Sequence, residues 1–177
     1  MTVFFTSDTH FGHDELRSNC NRPFSNVEEM DRALVTNWNA VVRHQDLVYH
    51  LGDFAYKTSA RLAQYRNQLN GSICLIRGNH DPKDAAQLNS IFDSVHDLIS
   101  INVQGQDIAL CHYAMMIWER SQKGAWNLYG HSHGSHPDDP LRLSLDVGVD
   151  CHEYRPLSFD EIKQIMEKKQ RLINESC

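Results

Sequence analysis

Five short apolar segments of this chain are each followed by side chains that carry a carboxylate, an amide or an imidazole. The segments are residues 3–5, 47–51, 73–76, 108–111 and 127–129, and the polar groups after them are Asp8-Thr9-His10, Gly52-Asp53, Gly78-Asn79-His80-Asp81, His112 and Gly130-His131-Ser132-His133. Short apolar runs bounded by turn residues predict buried strands. Because ligands collect at the carboxyl ends of strands in α/β sheets, the pattern predicts one functional edge.

Helical patterns separate the early strands. A capping box at Ser25-Asn26-Val27-Glu28 predicts the start of a helix with Met30, Leu34 and Trp38 on its apolar face. A second helical pattern runs through Leu62 and Leu69 and stops at Asn70-Gly71, as a C-terminal cap would. Another capping box, Ser158-Phe159-Asp160-Glu161, opens a closing helix.

The later part of the chain is rich in strands. Residues 95–103 and 106–111 flank Gly105 as a predicted hairpin, and residues 143–147 form a further strand pattern. Alternating units followed by strand-rich segments predict a mixed α/β layered fold. At 177 residues without an internal linker, we expect one domain over residues 1–177.

The polar groups at the strand ends have the composition of a metal site. In an extended segment, residues two apart point the same way, so Asp8 and His10 can reach one cation with a carboxylate and an imidazole, and His131 and His133 have the same spacing. Gly52 permits a tight turn that lets the carboxylate of Asp53 project from its strand. One such motif is weak evidence, but coincidence at five strand ends is improbable.

Composition narrows the classes of site and partner. Eleven histidines raise the expectation of a metal site, whereas five scattered cysteines without a C-x-x-C pair suggest neither a disulfide framework nor a thiolate zinc site. A net charge of −6 argues against a broad nucleic-acid footprint. No signal peptide or membrane span is apparent, so we expect a cytoplasmic protein that does not enter a membrane.

The ordered blocks D-x-H, G-D, G-N-H-D, H and G-H-x-H resemble those of the calcineurin-like metallophosphoesterase superfamily over residues 8–133. The resemblance implies a four-layer α/β/β/α sandwich. It also implies two metal positions that share Asp53. The first is held by Asp8, His10, Asp53 and His133, and the second by Asp53, Asn79, His112 and His131.

The same resemblance implies roles for neighbouring residues. His80 protonates the leaving oxygen or stabilises its developing charge, and Arg77 contacts the phosphate together with Asn79. A capped loop histidine and a surface salt bridge are the alternatives for His80 and Arg77. Asp53, as the shared ligand, belongs to the catalytic machinery, although the carboxylate that would orient His80 is not identified.

Nitrogen and oxygen ligands without thiolate suit two ions of Mn, Fe, Ni or Zn. Such a pair would clamp a phosphate and acidify a bridging water for in-line attack, so the expected activity is hydrolysis of small or nucleotide-like phosphate mono- or diesters. Phe54-Ala55-Tyr56 replaces the extension typical of serine/threonine protein phosphatases. Two alternatives stay open, a nuclease and a non-catalytic scaffold, and the oligomeric state is undetermined.

Overall fold

The computed structural model describes residues 1–56 and 59–176, and it contains two sheets. The first has the strand order β4-β3-β2-β1-β9. Its strands are β1 (Val3–Thr6), β2 (Leu47–His50), β3 (Ser72–Ile76), β4 (Ser94–His96) and β9 (Leu157–Ser158). Strands β1 to β4 are parallel, and β9 pairs antiparallel with β1. The parallel order brings the carboxyl ends of β1, β2 and β3 to one edge.

The second sheet has the strand order β5-β6-β7-β8. It consists of β5 (Leu98–Val103), β6 (Gln106–Cys111), β7 (Trp126–Tyr129) and β8 (Ser144–Asp146). The predicted hairpin at Gly105 is confirmed for β5 and β6, whereas β6, β7 and β8 run parallel. The single strand predicted over residues 95–103 is wrong, because the chain leaves the first sheet after β4 and enters the second at β5. Asp97 lies at this crossing, where it binds Arg77.

The helices divide between the two hydrophobic cores of the molecule. They are α1 (Asp14–Asn19), α2 (Val27–Val41), α3 (Ser59–Arg66), α4 (Ala85–Asn89) and α5 (Phe159–Glu175). Phe4 packs with Trp38 of α2 and Leu88 of α4, whereas its neighbour Phe5 belongs to the core shared with the second sheet and α5. Successive strand residues point to opposite faces, and this alternation builds both cores of the expected α/β sandwich.

Local capping motifs in the sequence predicted some helix ends correctly and missed others. The capping box at Ser158 and Glu161 is confirmed. Helix α2 instead has Asn26 as its N-cap, which accepts from the Glu29 amide, while the Glu29 carboxylate accepts from the Ser25 amide. Asparagine caps as well as serine, so the box moved by one residue.

Helix α3 ends at Arg66, earlier than the Asn70-Gly71 stop predicted for it. The Arg66 guanidinium donates to the carbonyls of Leu69 and Gly71, which stabilises a turn where the pattern suggested another helical turn.

Along the described residues, 1–56 and 59–176, no helix combines the length and the apolar character that crossing a bilayer requires.

Candidate metal centre

The predicted carboxylate and imidazole ligands meet in two groups where the strands end. Asp8, His10 and His133 form the first cluster, and Asp53, His112 and His131 form the second. Within each cluster the candidate ligand atoms lie within 4.8 Å of one another. Residues from both sheets therefore contribute to each cluster, so the centre depends on how the two sheets face each other.

Asp53 lies between the two clusters. Its Oδ2 atom is 3.4 Å from Nε2 of His10 and 3.5 Å from Nε2 of His112. Asn79 joins the second cluster, since its Oδ1 is 3.0 Å from the same nitrogen of His112. The other carboxylate oxygen of Asp53 accepts from the backbone N–H of His80 at 2.8 Å. One oxygen of Asp53 thus faces candidate ligands of both clusters while the second is fixed by the backbone.

The backbone at the ligands is left-handed, not extended. Positive φ angles occur at Asp8 (58°), His10 (49°), Asp53 (57°), His131 (70°) and His133 (48°). The extended strand geometry predicted for Asp8 with His10, and for His131 with His133, is therefore wrong, although Asp8 and His10 still meet in one cluster. Non-glycine residues in this region store about 1–3 kcal/mol of strain each, which is typical of functional sites.

Close backbone approach explains two glycines of the centre. A Cβ atom on Gly78 would lie 2.2 Å from Oδ1 of Asp53, and one on Gly130 would lie 2.0 Å from Oγ of Ser7 and 2.4 Å from Oδ2 of Asp8. Both are far below van der Waals contact. These glycines let the loops carrying Asn79 and His131 approach the carboxylates of the other strands.

Two ligand atoms of the first cluster are buried without a hydrogen-bond partner among the described residues, Oδ1 of Asp8 and Nε2 of His10. They lie 3.9 Å apart, and Nε2 of His133 is also 3.9 Å from that Asp8 oxygen. Burial raises the pKa of Asp8 to about 7 and lowers the pKa of His10 to about 4. Unpaired buried polar atoms are costly, whereas a cation between them would satisfy both. The first cluster therefore fits a divalent metal ion.

A buried ion pair supports the first cluster from behind. Asp150 accepts from Nδ1 of His133 at 2.7 Å and from Nε and Nη2 of Arg22, both at 2.8 Å. Arg22 also donates to the carbonyls of Thr9 at 3.0 Å and Asp8 at 2.6 Å. This network holds the strained Asp8-Thr9-His10 segment and leaves Nε2 of His133 available to a metal ion.

Sequence reasoning missed Arg22 and Asp150. Asp150 had a usable signal, because it follows the strand pattern at 143–147 just as the other acids follow theirs. Arg22 had none.

Comparable contacts orient the second cluster. Nδ1 of His112 donates to the carbonyl of Leu51 at 2.7 Å, which leaves Nε2 to face Asp53 and Asn79. Burial opposes the charged form of His112, but the hydrogen bond with Asp53 and the charges of Asp8 and Asp53 together outweigh burial and raise the pKa of His112. The Asp81 carboxylate accepts from the amides of Asp53 and Gly78 at 2.8 Å. Asp81 therefore ties together the two loops that carry Asp53 and Asn79.

The remaining predicted residues lie at the rim of the centre. His80 is exposed, and its ring contacts those of His10 and His13, with centroids 5.2 Å and 5.8 Å away. Among the described residues, the His80 ring contacts these two imidazoles and forms no hydrogen bond with a carboxylate that would orient it. Arg77 lines a cavity with Asn79 and His112, while its guanidinium binds Asp97. The Nδ1 atom of His13 lies 3.2 Å from Nδ1 of His10.

Two facing sheets with carboxylate and imidazole clusters at their strand ends define an α/β sandwich with a candidate two-metal centre. The chain belongs to the calcineurin-like phosphoesterase superfamily, whose domain profile matches residues 1–141. The family expectation from the ordered motifs is thereby confirmed, and the superfamily supports hydrolase activity in general.

Similar proteins of about the same length exist in distant organisms. An uncharacterized protein of Methanocaldococcus jannaschii is 39% identical over 173 residues, covering 94% of this chain and 92% of that protein. The Gene 66 protein of Mycobacterium phage L5 is 28% identical, with 93% of each chain covered. The crystal structure of a protein of unknown function from Aquifex aeolicus superposes with a TM-score of 0.75 at 27% identity, covering 93% of this chain and 98% of that one.

Proposed function

We propose that this protein hydrolyses small phosphate esters with a centre that holds two divalent metal ions. The observation that carries the proposal is the position of Asp53, one oxygen of which faces His10 of the first cluster and His112 of the second. The first ion would be held by Asp8, His10, Asp53 and His133, and the second by Asp53, Asn79, His112 and His131. Their nitrogen and oxygen donors suit Mn, Fe, Ni or Zn.

Two bound ions would neutralise the phosphate and acidify a water for in-line attack. The protein's own groups complete the reaction. Asn79 is exposed at the second cluster and is proposed to hold the phosphate. Exposed His80 is proposed to protonate the leaving oxygen. Arg77 can assist by contacting the phosphate, in competition with its hydrogen bonds to Asp97.

The substrates we propose are phosphomonoesters or phosphodiesters of mononucleotide size, hydrolysed in the cytoplasm by one domain. A net charge of −6 supports small esters over long nucleic acids, because polynucleotide binding rests on clustered basic residues. Affinity is then expected to come from the phosphate at the metal centre, whose local positive charge outweighs the acidic surface around it.

Metal reconstitution tests the proposal. Chelator-treated protein is loaded with Mn²⁺, Fe²⁺, Ni²⁺ or Zn²⁺, its bound metal is quantified, and kcat/KM is measured for 4-nitrophenyl phosphate, bis(4-nitrophenyl) phosphate and a single-stranded oligonucleotide across a salt series. We expect two ions per chain and metal-dependent hydrolysis of a small ester. Two bound ions without turnover would indicate the scaffold alternative. Preference for the oligonucleotide, lost steeply with salt, would establish a nuclease.

A further inference from the structure

A cavity of about 630 Å³ opens directly beside the second cluster. Its walls include Tyr113, Met115, Met116, Tyr129 and His136, and it reaches the centre at Gly130 and His131. A volume of this size suits a small organic ligand, since such sites are commonly about 300–1,000 Å³. The cavity and the second cluster therefore form one continuous space.

The wall nearest the metal centre is aromatic. The Tyr113 ring is nearly perpendicular to the rings of His112 and His131, with centroids 4.9 Å and 4.8 Å away. Tyr113 is 48% exposed, and the following Met116 and Ile117 are 80% and 78% exposed. Large apolar side chains exposed together beside polar groups mark ligand or partner sites. Their location next to candidate metal ligands favours a ligand that also reaches the metals.

Hydrogen bonds hold this wall in place. Nη2 of Arg142 donates to the carbonyls of Met115 at 2.8 Å and Met116 at 2.7 Å. The amide of Met115 donates to Oδ1 of the fully buried Asn127 at 3.2 Å. The loop is thus tied to strand β7 and to the segment before β8. A wall held in this way binds with a smaller entropy cost than a free loop would.

We propose that this cavity receives a planar aromatic organic group of the ester, of nucleobase class, while the phosphate lies at the metal centre. Tyr113 and Met116 offer apolar surface for the ring face, and His136 offers hydrogen bonds to a heteroatom edge. Stacking on an aromatic side chain is available to every base because every base has a π face. The inference rests on the proposed phosphoesterase function and adds its substrate class.

Two esters with the same leaving group test the assignment, thymidine 5′-(4-nitrophenyl) phosphate and methyl 4-nitrophenyl phosphate. The metal-loaded wild-type protein is expected to show a kcat/KM for the thymidine ester about 10-fold above that for the methyl ester, consistent with one stacked base. Tyr113→Ala and Met116→Ala should each reduce this ratio, and Tyr113→Phe should retain it. Leu172→Ala, which removes an exposed apolar side chain on α5, is the matched control.

The outcomes separate the two levels of the proposal. If no metal yields hydrolysis of either ester or of 4-nitrophenyl phosphate, the proposed function is wrong. If the methyl ester is hydrolysed but the thymidine ester is no better, the cavity assignment is overturned. Equal losses for both esters in Met116→Ala, whose side chain is mostly exposed, would likewise overturn it, because a structural defect does not distinguish the organic groups.

Discussion

The two metal clusters differ in how they are enclosed. Asp8 and His10 of the first cluster are fully buried, and the ion pair of Arg22 with Asp150 stands behind His133. In the second cluster His131 is exposed, Asn79 is exposed, and the cavity at Tyr113 opens beside them. In the proposed enzyme, the enclosed first cluster would retain its ion, whereas the open second cluster would meet the substrate. Asp53 faces candidate ligands of both clusters, so its substitution is expected to affect both.

The largest effect is expected for Asp53→Asn. Removing the charge that faces both clusters should reduce metal content at both positions and lower kcat/KM by about 10³-fold or more, because metal-ion stabilisation of the transition state is worth several kcal/mol. Metal analysis and kinetics on the same sample check this outcome. Full metal content together with normal turnover would show that Asp53 does not link the clusters.

His80→Ala should separate catalysis from metal binding. General acid help is worth about 10² to 10⁴ in rate and matters most for poor leaving groups. We therefore expect turnover of an alkyl ester to fall within that range, with a smaller loss for a 4-nitrophenyl ester and metal content retained. Equal losses for both leaving groups would argue against proton donation, and loss of metal would show that His80 is a ligand.

Asp150→Asn should affect the first cluster selectively. The isosteric amide removes the charge that orients His133 and pairs with Arg22, and loss of such a supporting group typically costs about 10- to 100-fold in metal affinity. Titration with Mn²⁺ should show one weakened site and one unchanged site per chain. Glu161→Gln is the control, since Glu161 also pairs with an arginine at 2.8 Å but lies outside the clusters. Equal weakening of both sites in Asp150→Asn would contradict the division.

The most gradual effect is expected for the pH dependence of metal binding. The pKa of Asp8 is about 7 in the metal-free protein, above its ordinary value because of burial. At Asp8 the folded metal-free protein therefore binds a proton that the unfolded chain has released, so the contribution of Asp8 to folding stability falls as pH rises from about 4 toward 7. The pKa of His10 is lowered to about 4. Its contribution to folding stability therefore increases as pH rises from about 4 to its ordinary pKa near 6.5.

Metal binding needs Asp8 without its proton, so affinity should fall by up to about 10-fold per pH unit below 7. The gain in Tm from added Mn²⁺, measured between pH 5 and 8, should accordingly increase toward pH 7 and then level off. A gain that is constant over this range would contradict burial of an unpaired carboxyl at Asp8.

The sequence by itself determined which residues end the strands, and from the ordered motifs it determined the superfamily. Apolar runs and turn residues act over a few positions, so a short stretch of sequence is enough to recognise them. The confirmed cap at Ser158 and the hairpin at Gly105 are examples. The residue types at each strand end could be recognised as candidate ligands for the same reason. The error at residues 95–103 shows the limit, because the pattern of one apolar stretch does not say which of two sheets each half will join.

Only the tertiary structure decided how the centre is supported. Arg22 and Asp150 are 128 residues apart, and no local pattern connects them. The left-handed backbone at Asp8, His10 and Asp53 is likewise a consequence of packing, since non-glycine residues adopt that conformation only uncommonly. Hydrogen bonds from distant segments hold it, such as those that Arg22 donates to the carbonyls of Asp8 and Thr9. Contacts of this kind form only when the chain has folded, and for that reason the sequence predicted the ligands but not the geometry that holds them.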